Sequence, residues 1–293
     1  MVARPVPADW LALRRQADHR ARESAVELLD LLTDRLQPGD ADELVVVDVG
    51  AGTGSNQDWL APRLPGRQRW LLVDHDEELL AVDSTVEATA DITTERAVAT
   101  VDDLHTLVPR GRHVLLACAA LLDLLSTGEL EALADVVAPA DAEGVTALLS
   151  LTVTGEVDLD PAHPSDSPLA DAFDAHQRRE DRPGPDAATV MADALRRGGA
   201  QVEVRATDWV LGAEDGELLR RYLDDRAAVA VEHDPDLEPL AHEWRAERER
   251  QLTAGVLTVR VGHLDLLSLP TTTTTPTVTA RATAVADPAQ TGP

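Results

Sequence analysis

Short apolar runs suited to strands alternate with helical segments along most of this chain of 293 residues. Seven of the runs are predicted as strands: Leu44–Val49, Trp70–Val73, Arg96–Val101, His113–Ala117, Val145–Val153, Gln201–Arg205 and Val256–Leu264. They are apolar almost throughout, whereas a strand with one face in water alternates apolar and polar residues. Strands of this kind, separated by helices, predict an α/β fold with a mostly parallel sheet between two helical layers.

Changes in composition divide the chain into three predicted segments. Residues 1–39 carry apolar residues at helical spacing up to a Gln-Pro-Gly stop, which predicts an N-terminal helical cap. Residues 40–269 hold the alternating strands and helices of the predicted main domain, with a charged helical insertion at about 214–254. Residues 270–293 are rich in Thr, Pro and Ala and have little to bury, so we expect a disordered tail.

Charge and composition restrict the classes of partner. The chain has 53 acidic and 26 basic residues, a formal charge of −27, and such a field repels the phosphates of nucleic acids. The apolar runs fall short of the ~20 residues that a membrane span needs, so we expect a cytoplasmic protein without membrane contact. Every basic residue is arginine. This bias is typical of a high-GC genome and predicts a bacterial, actinobacterial source.

The stretch VVVDVGAGTGSN at residues 45–56 places three glycines directly after a predicted strand. Glycine in a regular element costs up to about 1 kcal/mol relative to alanine, so the cluster predicts a tight turn or close contact with a ligand. In a doubly wound sheet, ligands bind beyond the carboxyl ends of the strands, where this loop falls. Gly50, Gly52 and Gly54 are spaced two apart, which differs from the dinucleotide fingerprint G-x-G-x-x-G.

The loop and later acids resemble the motifs of the class I S-adenosylmethionine-dependent methyltransferases, in particular those that act on small molecules. DVGAGTG is similar to the first motif of that family, and LLVDHD places Asp74 at the end of the second strand. VDDL places Asp102 and Asp103 at the end of the third strand. The resemblance covers residues 40–155 well and the later strands more loosely. It implies a Rossmann-like, doubly wound sheet of seven mostly parallel strands with an antiparallel last strand.

The resemblance also implies S-adenosyl-L-methionine as the cofactor. Asp48 would act near its amino-acid end by orienting loop amides or a water. Asp74 would accept hydrogen bonds from both ribose hydroxyls, and Asp103, or alternatively Asp102, would bind the exocyclic amine of adenine. Further residues of these motifs are expected beside the cofactor: Gly50, Ala51, Gly52, Thr53, Gly54, His75 and Leu104.

Three residues are candidates around the transferable methyl group. Cys118 would touch the cofactor or the substrate, or else serve as a small buried hydrophobe. Asp123 interrupts an apolar run, where it would line the acceptor pocket, cap a helix or face solvent. His176 is the candidate general base, because an unperturbed imidazole accepts a proton near neutral pH. The alternative for the segment around His176 is a polar surface helix anchored by Phe173.

These patterns predict methyl transfer to an O, N or C nucleophile of a small molecule by a monomer or homodimer. A non-catalytic protein that binds S-adenosylmethionine, as a regulator or partner subunit, is one alternative. A nicotinamide-dependent oxidoreductase is another, disfavoured by the glycine spacing and by the lack of lysine. The single cysteine and the absence of an H-E-x-x-H motif predict no metal site. The N-terminal helix would cover the cofactor as a lid or simply pack against the domain.

Overall fold

The computed structural model describes residues 6–36, 43–82, 89, 91–111, 113–140 and 142–271. The helices of this part of the chain are α1 (Ala8–Arg22), α2 (Val26–Leu36), α3 (Ser55–Leu60), α4 (Glu77–Leu80), α5 (Leu104–Leu107), α6 (Thr127–Val137), α7 (Asp166–Gln177), α8 (Ala187–Arg197), α9 (Gly216–His233) and α10 (Glu238–Thr253). Its strands are β1 (Glu43–Val49), β2 (Arg67–Asp74), β3 (Ile92–Val98), β4 (Val114–Ala119), β5 (Thr146–Asp160), β6 (Gln201–Ala206), β7 (Trp209–Leu211) and β8 (Thr258–Leu269).

The strands form one twisted sheet in the order β3-β2-β1-β4-β5-β8-β6, and the short β7 pairs with β8. Strands β1 to β5 pair in parallel, whereas β8 runs antiparallel to β5, β6 and β7. The expected Rossmann-like, doubly wound class with an antiparallel last strand is therefore confirmed. The prediction of seven strands was one short for the described residues, because β7 has only three residues and no periodicity to mark it.

Alternate residues of the central strands enter two separate cores, one on each face of the sheet. On β1, Val47 and Val49 pack with the buried side of α6 and α8. Leu44 and Val46 face the other way, toward α2 and α3. A third apolar cluster joins α1, α7, α9 and α10 to β7 and β8, so the charged helices near the end of the chain pack against the antiparallel side of the sheet.

The order of the strands reverses between β1 and β4. From β1 the chain moves outward through β2 to β3, then returns to the other side of β1 for β4. The two loops that leave β1 and β4 consequently diverge, and a crevice opens between them at the carboxyl ends of the strands. The glycine stretch after β1 borders this crevice.

Several element boundaries differ from the sequence predictions. The helix expected from residue 8 to 37 is broken by a 3-10 turn at Glu23–Ala25, which separates α1 from α2. Strand β5 extends to Asp160 and contains register shifts after Leu149 and Val153. Residues 272–293, where a disordered tail is predicted, lie outside the described residues. Within the part of the chain that is described, no helix is long and apolar enough to cross a membrane.

Close packing at the end of α8 makes a testable prediction about Gly198. A Cβ atom at this position would clash with the carbonyl oxygen of Ala138, whereas one at Gly128 would meet nothing within 4 Å. We expect Gly198→Ala to lower the free energy of unfolding by about 1–3 kcal/mol through overpacking. Gly128→Ala, in the first turn of α6, should leave it unchanged or raise it by up to about 1 kcal/mol. Urea denaturation of both variants measures the difference, and equal stabilities would contradict this packing.

Candidate functional site

The glycine loop turns sharply because all three of its glycines adopt left-handed backbone conformations. The φ angles of Gly50, Gly52 and Gly54 are 65°, 55° and 84°. Other residues reach this region only at a cost of roughly 1–2 kcal/mol each, which explains three glycines at alternate positions. The amide of Ala51 donates to the carbonyl of Val73 at 3.0 Å, so the loop stays pinned to β2 as it leaves the sheet.

Asp74, the last residue of β2, holds the loop from the neighbouring strand. Its Oδ2 accepts a hydrogen bond from the amide of Gly52 at 2.8 Å, and its Oδ1 accepts one from the amide of Asp76 at 3.0 Å. The side chain of His75 lies beside it, with Nδ1 3.2 Å from Oδ1. Asp74 is buried, yet each carboxylate oxygen keeps a second lone pair that can accept from a ligand.

One cavity of about 320 Å³ lies over the crevice, a size within the range of small-molecule sites. Its wall includes Gly50, Ala51, Gly52, Thr53, Asp74 and His75 from the predicted cofactor residues. The cavity continues across the sheet, past the end of β4 and the middle of β5, to a second group of residues: Phe173, Trp209, Tyr222, Val261 and His263. We refer to this second group as the aromatic end.

Helix α1 forms the roof of the cavity and is tied to the glycine loop and α3. Arg15 makes an ion pair with Asp58 at 2.6 Å, and Nε2 of His19 lies 3.1 Å from the carbonyl oxygen of Ser55. Leu11 packs against the loop so closely that a Cβ on Gly52 would lie 3.0 Å from its Cδ1. The helix therefore covers the loop directly.

A buried hydrogen-bond chain joins α1 to the first strand. Arg22 donates through a terminal NH group to Oδ1 of Asn56 at 2.7 Å, and Asn56 donates through Nδ2 to Oδ1 of Asp48 at 2.7 Å. The guanidinium of Arg22 also lies 3.8 Å from the centre of the Trp59 ring. Asp48 therefore bonds to the helix that follows the loop and, through it, to the roof.

The carboxyl of Asp48 lies in the protein interior, and this burial raises its pKa to about 7. The bond from Asn56 and the charge of Arg22 act in the opposite direction without cancelling the effect. Its Oδ2 has no hydrogen-bond partner among the described residues. The side chain thus takes up a proton far more readily than an exposed aspartate.

The expected adenine-binding residues lie apart from the cavity wall. The carboxylate of Asp103 accepts bonds from the amide and hydroxyl of Thr100 at 2.9 and 3.1 Å, in a capping box, and these bonds lower its pKa. Asp102 is exposed, and Leu104 is fully buried in the core. The pattern T-x-x-D at residues 100–103 signals this cap in the sequence. A role for these residues in binding adenine stays a prediction, without support from their positions.

Cys118 lies on β4 within the apolar core and away from the cavity wall. Burial raises the pKa of its thiol, so it remains protonated. Its surroundings are those of a small buried hydrophobe, which is one of the two roles expected for it.

The two candidate catalytic residues are placed differently. Asp123, in a 3-10 turn after β4, lines the cavity, and desolvation raises the pKa of its carboxyl to about 6. His176, near the end of α7, is not among the residues that line the cavity in the described part of the chain. Its Nε2 lies 3.4 Å from Oε1 of Glu232. Burial lowers the pKa of its imidazole.

Sequence reasoning missed the aromatic end as a unit. Its residues come from α7, β7, α9 and β8, which are far apart in the chain and meet only in the folded structure. The scarcity of aromatic residues was the available signal, since the chain has a single Phe and a single Tyr. Both lie at this end of the cavity.

Two strained residues form the middle of the cavity floor. Ala120 and Leu151 have φ angles of 55° and 57°, although neither is glycine. The amide of Ala120 donates to the carbonyl of Ser150 at 2.9 Å, and the amide of Leu151 donates to the buried carboxylate of Asp265 at 2.7 Å. Strain of this kind persists only where the surroundings enforce it, and it concentrates at functional sites.

The raised pKa of Asp48 predicts how stability depends on pH. Between about pH 4 and pH 7 the folded protein keeps a proton that the unfolded chain loses, so the free energy of unfolding falls as pH rises. Asparagine does not titrate in this range. Asp48→Asn should therefore reduce the decrease in the free energy of unfolding between pH 5.5 and pH 7 by up to about 2 kcal/mol. Urea denaturation at pH 5.5 and at pH 7 measures this decrease. Asp135→Asn, on the exposed face of α6, is the control and should keep the pH dependence of the wild type. Equal pH dependence in wild type and Asp48→Asn would contradict the assignment.

Comparison with known proteins gives similarities at the level of solved structures. No family model and no curated protein matches the sequence. A cyclopropane-fatty-acyl-phospholipid synthase-like protein from Lactobacillus casei is 12% identical, over 90% of this chain and 94% of that chain, with a TM-score of 0.48. A SAM-dependent methyltransferase from Geobacter sulfurreducens, solved with S-adenosyl-L-homocysteine, is 16% identical over 92% of this chain and 100% of that chain, with a TM-score of 0.39. These similarities identify no ligand or substrate for this chain.

Proposed function

We propose that this protein binds S-adenosyl-L-methionine and transfers its methyl group to a small-molecule acceptor. One observation carries the proposal. Gly50 and Gly52, two of the three left-handed glycines, line one cavity at the switch point of the sheet together with Asp74, the acid that ends β2 and accepts a hydrogen bond from the Gly52 amide. Ligands of doubly wound folds bind at this place.

The charges of the cavity wall support a cationic nucleoside over a dinucleotide. Four carboxylates line the cavity, those of Asp18, Asp74, Asp76 and Asp123, against two guanidiniums, those of Arg14 and Arg22. A pyrophosphate carries negative charge and would be repelled by the two acids at the end of β2. A sulfonium and an ammonium group carry positive charge and would be attracted by the excess of carboxylates over guanidiniums in this wall.

The residues of the chain have separate tasks in this proposal. S-adenosylmethionine, when bound, supplies an activated methyl group that a nucleophile displaces in line. The glycine loop offers backbone without side chains for the nucleoside, and Asp74 accepts hydrogen bonds from the ribose hydroxyls with its remaining lone pairs. Helix α1, which is bound to α3 by an ion pair and a hydrogen bond and packs on the glycine loop through Leu11, covers the cavity and excludes water.

Asp123 is the residue best placed to accept a proton from the methyl acceptor. It follows β4 and lines the cavity between the loop side and the aromatic end. A carboxyl with a pKa near 6 is a stronger base than an exposed one and is still mostly ionised at neutral pH. An uncharged amine acceptor would need no base, because alignment and exclusion of water supply most of the rate.

Calorimetry with S-adenosylmethionine, S-adenosyl-L-homocysteine and a nicotinamide dinucleotide tests the proposal. We expect both S-adenosyl compounds to bind and the dinucleotide not to bind. Release of the methyl group in the presence of a fractionated cell extract then separates an enzyme from a protein that only binds the cofactor. Binding of the dinucleotide alone would overturn the proposal.

The contribution of Asp74 gives a quantitative prediction. Asp74→Ala should weaken binding of S-adenosyl-L-homocysteine by about 1.5–3 kcal/mol, roughly 10- to 150-fold, because it removes charge-assisted hydrogen bonds to the ribose. Asp135→Ala, an exposed change on α6, is the matched control and should leave the affinity unchanged. Circular dichroism checks that both variants are folded. An unchanged dissociation constant for folded Asp74→Ala would refute its role at the ribose.

A further inference from the structure

We propose that the aromatic end of the cavity is the site of the methyl acceptor, and that it takes an uncharged aromatic molecule whose hydroxyl or N–H group donates a hydrogen bond to Nε2 of His263. The inference rests on the proposed function, because it names the class of substrate that this function leaves open.

The aromatic end lies beside the nucleoside side of the cavity and is distinct from it. The glycine loop leaves β1, whereas Val261 and His263 belong to β8. The sheet order β1-β4-β5-β8 puts three strand spacings between them, about 14 Å. A cofactor held at Gly50 and Asp74 therefore leaves the aromatic end for a second molecule in the same cavity.

Aromatic residues are concentrated at this cavity to an unusual degree. The chain has seven Phe, Tyr and Trp residues in all. Four of them line the cavity: Trp10, Phe173, Trp209 and Tyr222. The rings of Trp209 and Tyr222 meet edge to face with centroids 6.3 Å apart. Planar apolar walls of this kind favour a flat aromatic ligand, which gains both buried area and ring contacts.

The charged groups of the cavity wall beside these rings, Arg14 and Asp18, neutralise one another. Arg226 lies 4.5 Å from the centroid of the Phe173 ring and donates to the Tyr222 hydroxyl at 3.3 Å, but it is not among the residues that line the cavity in the described part of the chain. Arg14 donates to both carboxylate oxygens of Asp18 at 2.9 and 3.1 Å, and the indole N–H of Trp209 donates to the same carboxylate at 2.9 Å. Arg14 also stacks on the Trp209 ring, 4.9 Å from its centroid. A charged ligand would have to compete with this pair, whereas an uncharged ligand leaves it intact.

His263 offers the hydrogen-bond acceptor of the aromatic end. Its Nδ1 lies 2.9 Å from the carbonyl oxygen of Val261. A carbonyl can only accept, so Nδ1 carries the proton, and in a neutral imidazole Nε2 then holds a lone pair. Burial lowers the pKa of this imidazole to about 4, which keeps it neutral at physiological pH. No hydrogen bond to Nε2 is found within the described residues.

The orientation of His263 is fixed before any ligand arrives. Its ring lies tilted against Trp209 with centroids 5.2 Å apart, and the side chain is 2% exposed. The bond at Nδ1 fixes the tautomer as well. A ligand with a hydroxyl or N–H group thus meets an acceptor that is already in place, while a ligand with only acceptor atoms finds no donor on this ring.

Fluorine NMR with three small probes tests the class of acceptor. The probes are 4-fluorophenol, 4-fluorobenzoate and 4-fluorobenzylamine, which share a ring and differ in charge. Each is titrated into the protein saturated with S-adenosyl-L-homocysteine and into the protein alone. We expect 4-fluorophenol to bind at least fivefold more tightly than either charged probe. Tighter binding of a charged probe, or binding of none, would overturn the proposal.

Variants of His263 test the hydrogen bond. His263→Leu removes the acceptor and should weaken binding of 4-fluorophenol about tenfold, and His263→Gln, whose amide oxygen can accept, should remain within about threefold of wild type. His242→Leu, an exposed change on α10, is the control and should have no effect. Affinity for S-adenosyl-L-homocysteine should be the same in all of them. Equal binding of 4-fluorophenol by wild type and folded His263→Leu would refute the role of His263.

The two proposals fail in different ways in these experiments. If S-adenosyl-L-homocysteine does not bind, the proposed function is wrong, and the titrations without it still decide whether the aromatic end selects an uncharged aromatic molecule. If S-adenosyl-L-homocysteine binds and the probes show no such selection, the proposed function stands and the inference about the acceptor is wrong.

Discussion

The arrangement of the site depends on a buried cation, Arg22, at the end of the first helix. Its guanidinium is almost inaccessible to solvent and contacts elements from three parts of the chain. It donates to Asn56, which in turn donates to Asp48 on the first strand. Its Nε lies 3.9 Å from a carboxylate oxygen of Asp265, the acid that holds the strained amide of Leu151. Breaking a buried charge network by removing one partner typically costs 3–5 kcal/mol, so the roof, the glycine loop and the floor are maintained together.

This coupling gives a physical reason for a single cavity that crosses the sheet. The roof helix bonds to α3, which directly follows the glycine loop, through Arg15 and His19, and to Trp209 at the other side through Asp18. The same helix therefore contacts the proposed cofactor side and the aromatic end. A ligand on either side would pack beneath the same helix, and Asp123 lines the cavity just after β4, a strand that lies between β1 and β8 in the sheet. For an in-line transfer of a methyl group, the protein must hold the donor and the acceptor molecule in alignment.

Much of the fold and part of the site follow from local sequence patterns. Helices α8 and α10 begin and end where periodicity, prolines and glycines place them, and the antiparallel last strand follows the resemblance. The glycine loop and Asp74 meet as expected, because adjacent parallel strands end at the same edge. Long-range contacts account for what was not predicted. Nothing local joins Trp209 to His263, and the three residues of β7 are too few for a pattern. The exposed carboxylate of Asp103 bonds back to Thr100 in a capping box.

The most direct test of the central claim is a crystal structure of the protein with S-adenosyl-L-homocysteine. We predict that the nucleoside lies against Gly50–Gly54 beneath the first helix, with its ribose hydroxyls within hydrogen-bond distance of the Asp74 carboxylate. We also predict that the sulfur points toward Asp123 and the aromatic end. A nucleoside bound elsewhere on the chain, or one in this cavity with its ribose away from Asp74, would contradict the account.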